Sequence, residues 1–208
     1  MDQRSEEWYE ARRGKLTASR VSRLMDGSNR AINTLLDVLE REITEGKGGW
    51  LEGRDADSAS MEHGRAMEPR AIAMYEMLYD VDVTPVGLVY YEPFDFIGAS
   101  PDGLVPGGSI EVKCPSNPAN HDRAIIYGMP KDHYWQVQTQ SLCLGVEWVD
   151  FISYSEVPKQ VSKWLYRERI KANAKDQQKI VEKARWLKDL LDSGERASID
   201  TSTIPEFF

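Results

Sequence analysis

SPDGLVPGGSIEVKCP, residues 100–115, is the stretch whose reading decides the fold. Asp102 sits between Pro101 and Gly103, a turn context, nine residues ahead of Glu111, which is two residues ahead of Lys113. The apolar-flanked run 110–114 reads as a short strand. Side chains alternate along a strand, so Glu111 and Lys113 share one face and Val112 takes the other. An acid and a base on one side of a strand, with a second acid delivered by the preceding turn, suit a hard divalent cation. Mg²⁺ takes oxygen ligands and keeps several waters, so the two carboxylates and the Val112 carbonyl suffice. Lys113 would then stand where it orients a nucleophilic water or stabilises developing negative charge. The same residues also fit a blander description, a common turn followed by a solvated strand with a cross-sign pair. The rest of the chain decides between the two.

The 208 residues fit one domain, 1–208, with a sizeable core. No run of about 18 apolar residues occurs, and the opening MDQRSEEWYE is charged, so a soluble intracellular protein without a membrane partner is expected. Cys114 and Cys143 are too few for a disulfide framework or a four-cysteine metal or iron–sulfur site and read as thiols. A net charge of −8 argues against a protein that coats nucleic acid non-specifically. It permits one that handles DNA in a restricted channel, where local charge decides. Residues 11–30 carry six Lys or Arg against the single acid Asp26. The basic residues of 163–188 are interspersed along an expected long helix and read as a solvated face.

In chain order, Ser5 with Glu6 and Glu7 predicts a helix start, Trp8 and Ala11 face inward, and Gly14 ends the helix. Thr17 is the expected cap of a second helix bearing Val21, Leu24 and Met25, stopped at Asp26-Gly27. Arg12, Thr17 and Ser19 cluster at that helix start, where amides, hydroxyls and a guanidinium can hold a phosphate; surface arginines on an ordinary capped helix are the alternative. Ile32, Leu35, Leu36, Leu39 and Ile43 form a helical core stripe, followed by a glycine-rich connection over 45–60. Met67, Ala71, Met74, Tyr75 and Leu78 mark a further helix with Glu68 at the edge of its apolar face. Strands over 86–91 and 94–98 lead into the turn and the Glu-Val-Lys strand as an antiparallel meander.

Asn117-Pro118 opens a helix. The next helix packs through Tyr134, Trp135, Val137 and Leu142, with Gln136 and Gln140 on another line. A strand over 147–154 follows, then 161–167, which alternates like a strand but also admits a helix. A long amphipathic helix spans about 171–192 and stops at Ser193-Gly194, and the tail ends in Phe207-Phe208.

Four motifs in this order carry a family resemblance: WYEARRGKLTAS (8–19), HGRAMEPRA (63–71), SPDGLV with EVKCP (100–115), and YWQVQ (134–138). Together they resemble the lambda exonuclease family, the YqaJ-like viral recombinases or phage-type alkaline exonucleases. The resemblance implies an α/β restriction-endonuclease-like PD-D/ExK core with a central mixed sheet flanked by helices. It implies a cytoplasmic enzyme of a bacterial host that digests duplex DNA from its ends, 5′ to 3′, releasing mononucleotides. Two Mg²⁺ ions, replaceable by Mn²⁺, are the implied cofactors. Asp102, Glu111 and the Val112 carbonyl match the family's metal ligands, Lys113 its water-activating lysine, Glu68 the acid of the second ion's shell and Gln136 its active-site glutamine. Arg12 and Ser19, with Ser100, match the pocket that grips the 5′-phosphate. Met61 falls where the family has an apolar side chain that wedges apart the terminal base pair. A homotrimeric ring and a single-strand annealing protein are the implied partners.

The competing readings are an endonuclease of the same fold and a catalytically inactive DNA-end-binding module. Arg12 with Ser19, and the absence of a recognisable target-recognition module, disfavour the first. The complete Asp102, Glu111 and Lys113 set disfavours the second.

Overall fold

The computed structural model describes residues 3–25, 28–45 and 59–197. The expected Asp26-Gly27 stop, most of the glycine-rich connection and the tail with Ile204, Phe207 and Phe208 lie outside them. Helix α1 (Glu6–Ala11) starts at Ser5, whose hydroxyl accepts from the Trp8 N–H, with two acids in the first turn where the dipole favours them. Strand β1 (Leu16–Thr17) runs directly into α2 (Ala18–Met25). Ser28 then caps α3 (Asn29–Thr44), and α4 (Ala59–Tyr79) follows. Four short strands come next: β2 (Val89–Tyr90), β3 (Ile97–Ala99), β4 (Gly103–Val105) and β5 (Gly108–Lys113). Helix α5 (Pro118–Tyr127) has Asn117 as its cap and proline at its first position. A 3-10 turn, Lys131–His133, feeds α6 (Tyr134–Leu144), which ends at the left-handed Gly145. The described chain closes with β6 (Trp148–Tyr154), β7 (Leu165–Lys171) and α7 (Ala174–Ser193).

Strands β4, β5, β6 and β7 form a mixed sheet in that order, with β4–β5 and β6–β7 antiparallel and β5–β6 parallel. The parallel pair needs a crossover, and α5 and α6 make it. Five of the six β5 residues are buried, as befits a central strand covered on both faces. Ala71 and Tyr75 of α4 pack with Ile110, Val112 and Ile152. A second core joins Val21 and Leu24 of α2, Leu35 and Leu39 of α3, and Ile180 and Leu187 of α7. Helix α6 packs against α2, α7, β3, β5 and β6, which makes it the bridge between the sheet and the helical core.

Several expectations change. The meander divides in two, because β2 and β3 belong to a separate sheet in which β1 lies parallel to β3. The break falls at Asp102. Its N–H donates to the Ile110 carbonyl at 3.2 Å, and its carboxylate accepts from the Val112 N–H at 2.6 Å, tying it to β5. Thr17 is paired with Gly98 in β1 rather than capping α2, since extended pairing beside the fully buried Leu16 outweighs a local cap. Ile43 and Leu78 lie in the last turns of their helices and stay about half exposed, at 55% and 51%. Residues 161–167 split into a 3-10 turn and the start of β7. Lys171 ends that strand, and α7 begins after Asn173, whose side chain accepts from the Lys175 and Asp176 N–H groups.

The basic run of 163–188 is also not simply a solvated face. β7 places Arg169 opposite Asp150 of β6, a fully buried carboxylate that it grips at 2.8 and 2.9 Å, with Arg167 3.6 Å away. The Tyr75 hydroxyl donates to the same carboxylate at 2.8 Å and locks α4 to the sheet. Burial first, then the Asp150 charge, hold the Tyr75 phenol above its ordinary pKa and keep it a donor. Asp150→Ala leaves the Tyr75 hydroxyl unpaired and frees Arg169 and Arg167, which at 42% and 32% exposure can rehydrate, and is expected to cost about 1–3 kcal/mol. Tyr75→Phe removes one bond to a charged group and should cost about 1.5–3 kcal/mol. Urea denaturation measures both, and a wild-type midpoint for Asp150→Ala would contradict this account.

Candidate active site

Strand β5 carries Glu111 into the interior, where it is 2% exposed. A carboxylate there must be paired and hydrogen-bonded. The Lys113 ammonium lies 2.5 Å from Oε1, as same-face alternation predicts. Gln136 Nε2 donates to that oxygen at 2.6 Å, and Gln140 Nε2 donates to Oε2. The two glutamines are four residues apart on α6 and therefore reach from one face. Asp102 stands on the other side, fixed by the Val112 N–H. Burial, then the charge of Glu111, raise the Asp102 pKa well above the ordinary carboxylate range, against the pull of Lys113. Burial works against the Lys113 ammonium, but Glu111, Asp102 and Glu68 outweigh it and raise its pKa. Lys113 is therefore a firm cation among more negative than positive groups.

Glu68 reaches this neighbourhood from α4. Its Oε2 accepts from Arg4 at 2.9 Å, and its side chain is 26% exposed, so it borders the site rather than entering the interior. Among the described residues no three His, Cys, Asp or Glu side chains converge as a metal cluster; Asp102 and Glu111 stand as a pair.

A second cluster forms around Arg12, which is 9% exposed. Its guanidinium donates to Ser100 Oγ at 3.0 Å and Thr17 Oγ1 at 3.4 Å, and Thr17 Oγ1 lies 3.3 Å from Ser19 Oγ. Trp8 Nε1 also donates to Ser100 Oγ at 3.0 Å, and the guanidinium lies 4.1 Å over the Trp8 ring. Behind it Arg20 forks onto the buried Glu42, which also accepts from the Gly14 N–H, while Arg20 donates to the Lys15 carbonyl. These bonds pin the loop after α1. Burial, then the neighbouring Arg20, lower the Arg12 pKa to about 10. Arg12, Ser19 and Ser100 are thus brought together, and Ser100 lies two residues from Asp102.

A cleft of about 920 Å³ is lined by Glu68, Val112 and Lys113 on the side of the acid site and by Trp8 from the Arg12 cluster. Arg4, Arg65, Lys113, Arg123 and Lys131 on its wall outnumber the acids Glu68 and Asp132, which gives an acidic chain a locally positive groove. Met61 lines it as well. Sequence reasoning missed the Gln140 contact, whose signal was its four-residue spacing from Gln136. It also missed the Trp8 indole N–H and the cations Arg65, Arg123 and Lys131, which no motif marked.

A mixed sheet whose central strand bears Glu-Val-Lys, with a second acid at the start of the adjoining hairpin strand, places the chain in the restriction-endonuclease-like class. Within it, the chain belongs to the YqaJ-like viral recombinase domain family, whose model matches residues 7–147 and takes in both clusters. The alkaline exonuclease LHK-Exo from Laribacter hongkongensis superposes with a TM-score of 0.83 at 32% identity, over 91% of this chain and 94% of that one. LHK-Exo in complex with dAMP matches over the same shares at 33% identity, with a TM-score of 0.83. A phage-related exonuclease from Haemophilus somnus 129PT shares the fold, with a TM-score of 0.68 at 15% identity over 86% of this chain and 94% of that one. Protein R354 of Acanthamoeba polyphaga mimivirus is 27% identical over 73% of this chain, a match that spans 29% of that longer protein. Among the described residues no helix is long and apolar enough to cross a membrane.

The raised Asp102 pKa has a sign that can be measured. A carboxyl whose folded pKa exceeds its unfolded value costs no stability below the ordinary carboxylate range; the penalty grows as pH rises from there toward the folded value. In EDTA the melting temperature of Asp102→Asn should gain on that of the native protein as pH rises from about 4. Parallel melting curves for the two proteins would contradict the assigned electrostatics.

Proposed function

We propose that this chain is a Mg²⁺-dependent 5′ to 3′ exonuclease on linear double-stranded DNA, releasing mononucleotides and leaving a 3′ overhang for single-strand annealing recombination. One observation carries the reading: Ser100, which accepts from Arg12, lies two residues from Asp102, so the Arg12 cluster adjoins the acid, acid, lysine site, and Trp8 of the one and Lys113 of the other line one cation-rich cleft.

The donor set fits Mg²⁺. Asp102 and Glu111 offer hard oxygens, Asp102 penalised by burial and by the Glu111 charge, and the Val112 carbonyl lies between Glu111 and Lys113 in sequence. When bound there, the ion supplies Lewis-acid polarisation of the phosphodiester and a more acidic water. Lys113 holds a positive charge beside the reacting phosphate, and Gln136 keeps Glu111 oriented toward it. Glu68 adds negative potential at the rim for the second ion, and Met61 on the cleft wall is the wedge candidate.

Direction follows from the Arg12 pocket. A guanidinium with Ser19 and Ser100 hydroxyls grips a terminal phosphate through several charge-assisted bonds, which fixes the strand end and sets the scissile bond one nucleotide inward. LHK-Exo, named an alkaline exonuclease and solved with dAMP, supports both the activity and the mononucleotide product. The family resemblance supports the homotrimeric ring and the annealing partner. A ring lets an acidic outer surface coexist with a DNA-bearing channel.

The test is a digestion time course on linear duplex bearing a 5′-phosphate or a 5′-hydroxyl, in Mg²⁺ and in EDTA. The phosphorylated end should be digested about tenfold faster or more, the range expected for bonds to a charged group, with no digestion in EDTA. Arg12→Ala should erase the preference. Equal rates for both ends, or cleavage of closed circular DNA, would contradict the reading.

A further inference from the structure

Glu111 serves the proposed reaction as an oxygen donor, and the role assigned to its neighbour Gln140 rests on that reading. Helix α6 is unusual for a buried helix, because Gln138, Thr139, Gln140 and Ser141 are all inaccessible. Three of them are satisfied in ways that serve the fold. Gln138 donates to the Lys171 carbonyl at 2.9 Å and accepts from the Asn173 N–H at 2.8 Å, tying α6 to the end of β7. The Thr139 hydroxyl donates to the Trp135 carbonyl at 2.7 Å. Ser141 donates to the Gln138 carbonyl and accepts from Gln177 of α7.

Gln140 differs. Its Nε2 donates to Glu111 Oε2, while its own Oε1, equally buried, has no hydrogen-bond partner among the described residues. The orientation is dictated by chemistry: an ionised carboxylate only accepts, so the amide NH₂ must face Glu111 and the carbonyl must turn away. A buried acceptor left unsatisfied costs about 1–3 kcal/mol. Methionine fills nearly the same volume without that cost, so packing alone does not account for the amide.

The two carboxylate oxygens of Glu111 are held separately. Half-buried Gln136 and Lys113 bind Oε1, and fully buried Gln140 binds Oε2. Donors on one oxygen fix a direction; donors on both fix the plane. The geometry points to Gln140 as a positioning residue that locks the Glu111 carboxylate plane through Oε2, leaving Oε1 to Gln136 and Lys113. It touches neither substrate nor the reacting atoms.

The test is a Mg²⁺ titration of the wild type, Gln140→Met and Gln140→Asn, followed by melting temperature without DNA and by digestion rate on linear duplex. Asparagine keeps an amide but withdraws it by one methylene. Both variants should raise the Mg²⁺ midpoint about 10–100-fold, as loss of a group that orients a metal ligand does. Their metal-free melting temperatures should fall, because the buried Glu111 Oε2 loses its donor, and saturating Mg²⁺ should restore most of the digestion rate. Unchanged midpoints would overturn the inference while leaving the exonuclease reading intact. Variants that fail to fold would also overturn it, by showing that Gln140 holds the helix rather than the carboxylate. A wild type without any Mg²⁺ response would overturn the exonuclease reading, and the inference with it.

Discussion

A charged carboxylate at the centre of a sheet is the constraint around which this molecule is arranged. Glu111 lies on the central strand at 2% exposure, where an unpaired charge would cost several kcal/mol. The chain answers with Lys113 two residues along the strand and with two amides from α6. Those amides arrive because β5 and β6 are parallel, so the crossover between them must carry a helix back over the sheet. The polar character of α6, the parallel pairing and the burial of Glu111 are consequences of one another.

Comparison with the other buried acids shows why this one marks the site. Asp150 is met by Arg169 in a fork, by Arg167 and by the Tyr75 hydroxyl, and Glu42 is met by Arg20 and a backbone N–H. Both are neutralised, and both join elements of the fold. Glu111 and Asp102 have one lysine between them, and burial, then the Glu111 charge, push Asp102 toward protonation. A divalent cation, as proposed for this site, would correct that imbalance. The Arg12 cluster, proposed to hold the phosphate, follows the same logic with the opposite sign. Burial and Arg20 lower the Arg12 pKa, an environment that a phosphate dianion would reverse.

Much of this was legible in the residues because it depends on local pattern. Alternation along β5 put Glu111 and Lys113 on one face, Ser5 and Asn117 announced their helices, and the apolar stripes of α2, α3 and α7 identified most of the helical core. What failed depended on partners distant in sequence. Nothing near Leu16 and Thr17 announces a strand, because the strand exists only by pairing with Ile97 and Gly98. Arg167 and Arg169 looked solvated until β7 laid them on Asp150. The break between the two sheets rests on a side-chain bond from Asp102 to β5, and a one-dimensional pattern does not record such bonds. For the site, Gln136 came from the motif, whereas Gln140 needed the carboxylate's second oxygen to be seen.

The central claim is that Lys113, besides pairing with Glu111, serves the chemical step rather than DNA capture. Single-turnover digestion of a 5′-phosphorylated linear duplex by Lys113→Ala, alongside DNA-end binding by the same protein, tests it most directly. The account predicts a folded variant that binds ends at near wild-type affinity yet releases mononucleotides at least about 10²-fold more slowly, the scale set by losing an electrostatic contributor to a transition state. Wild-type release by the folded variant would contradict it.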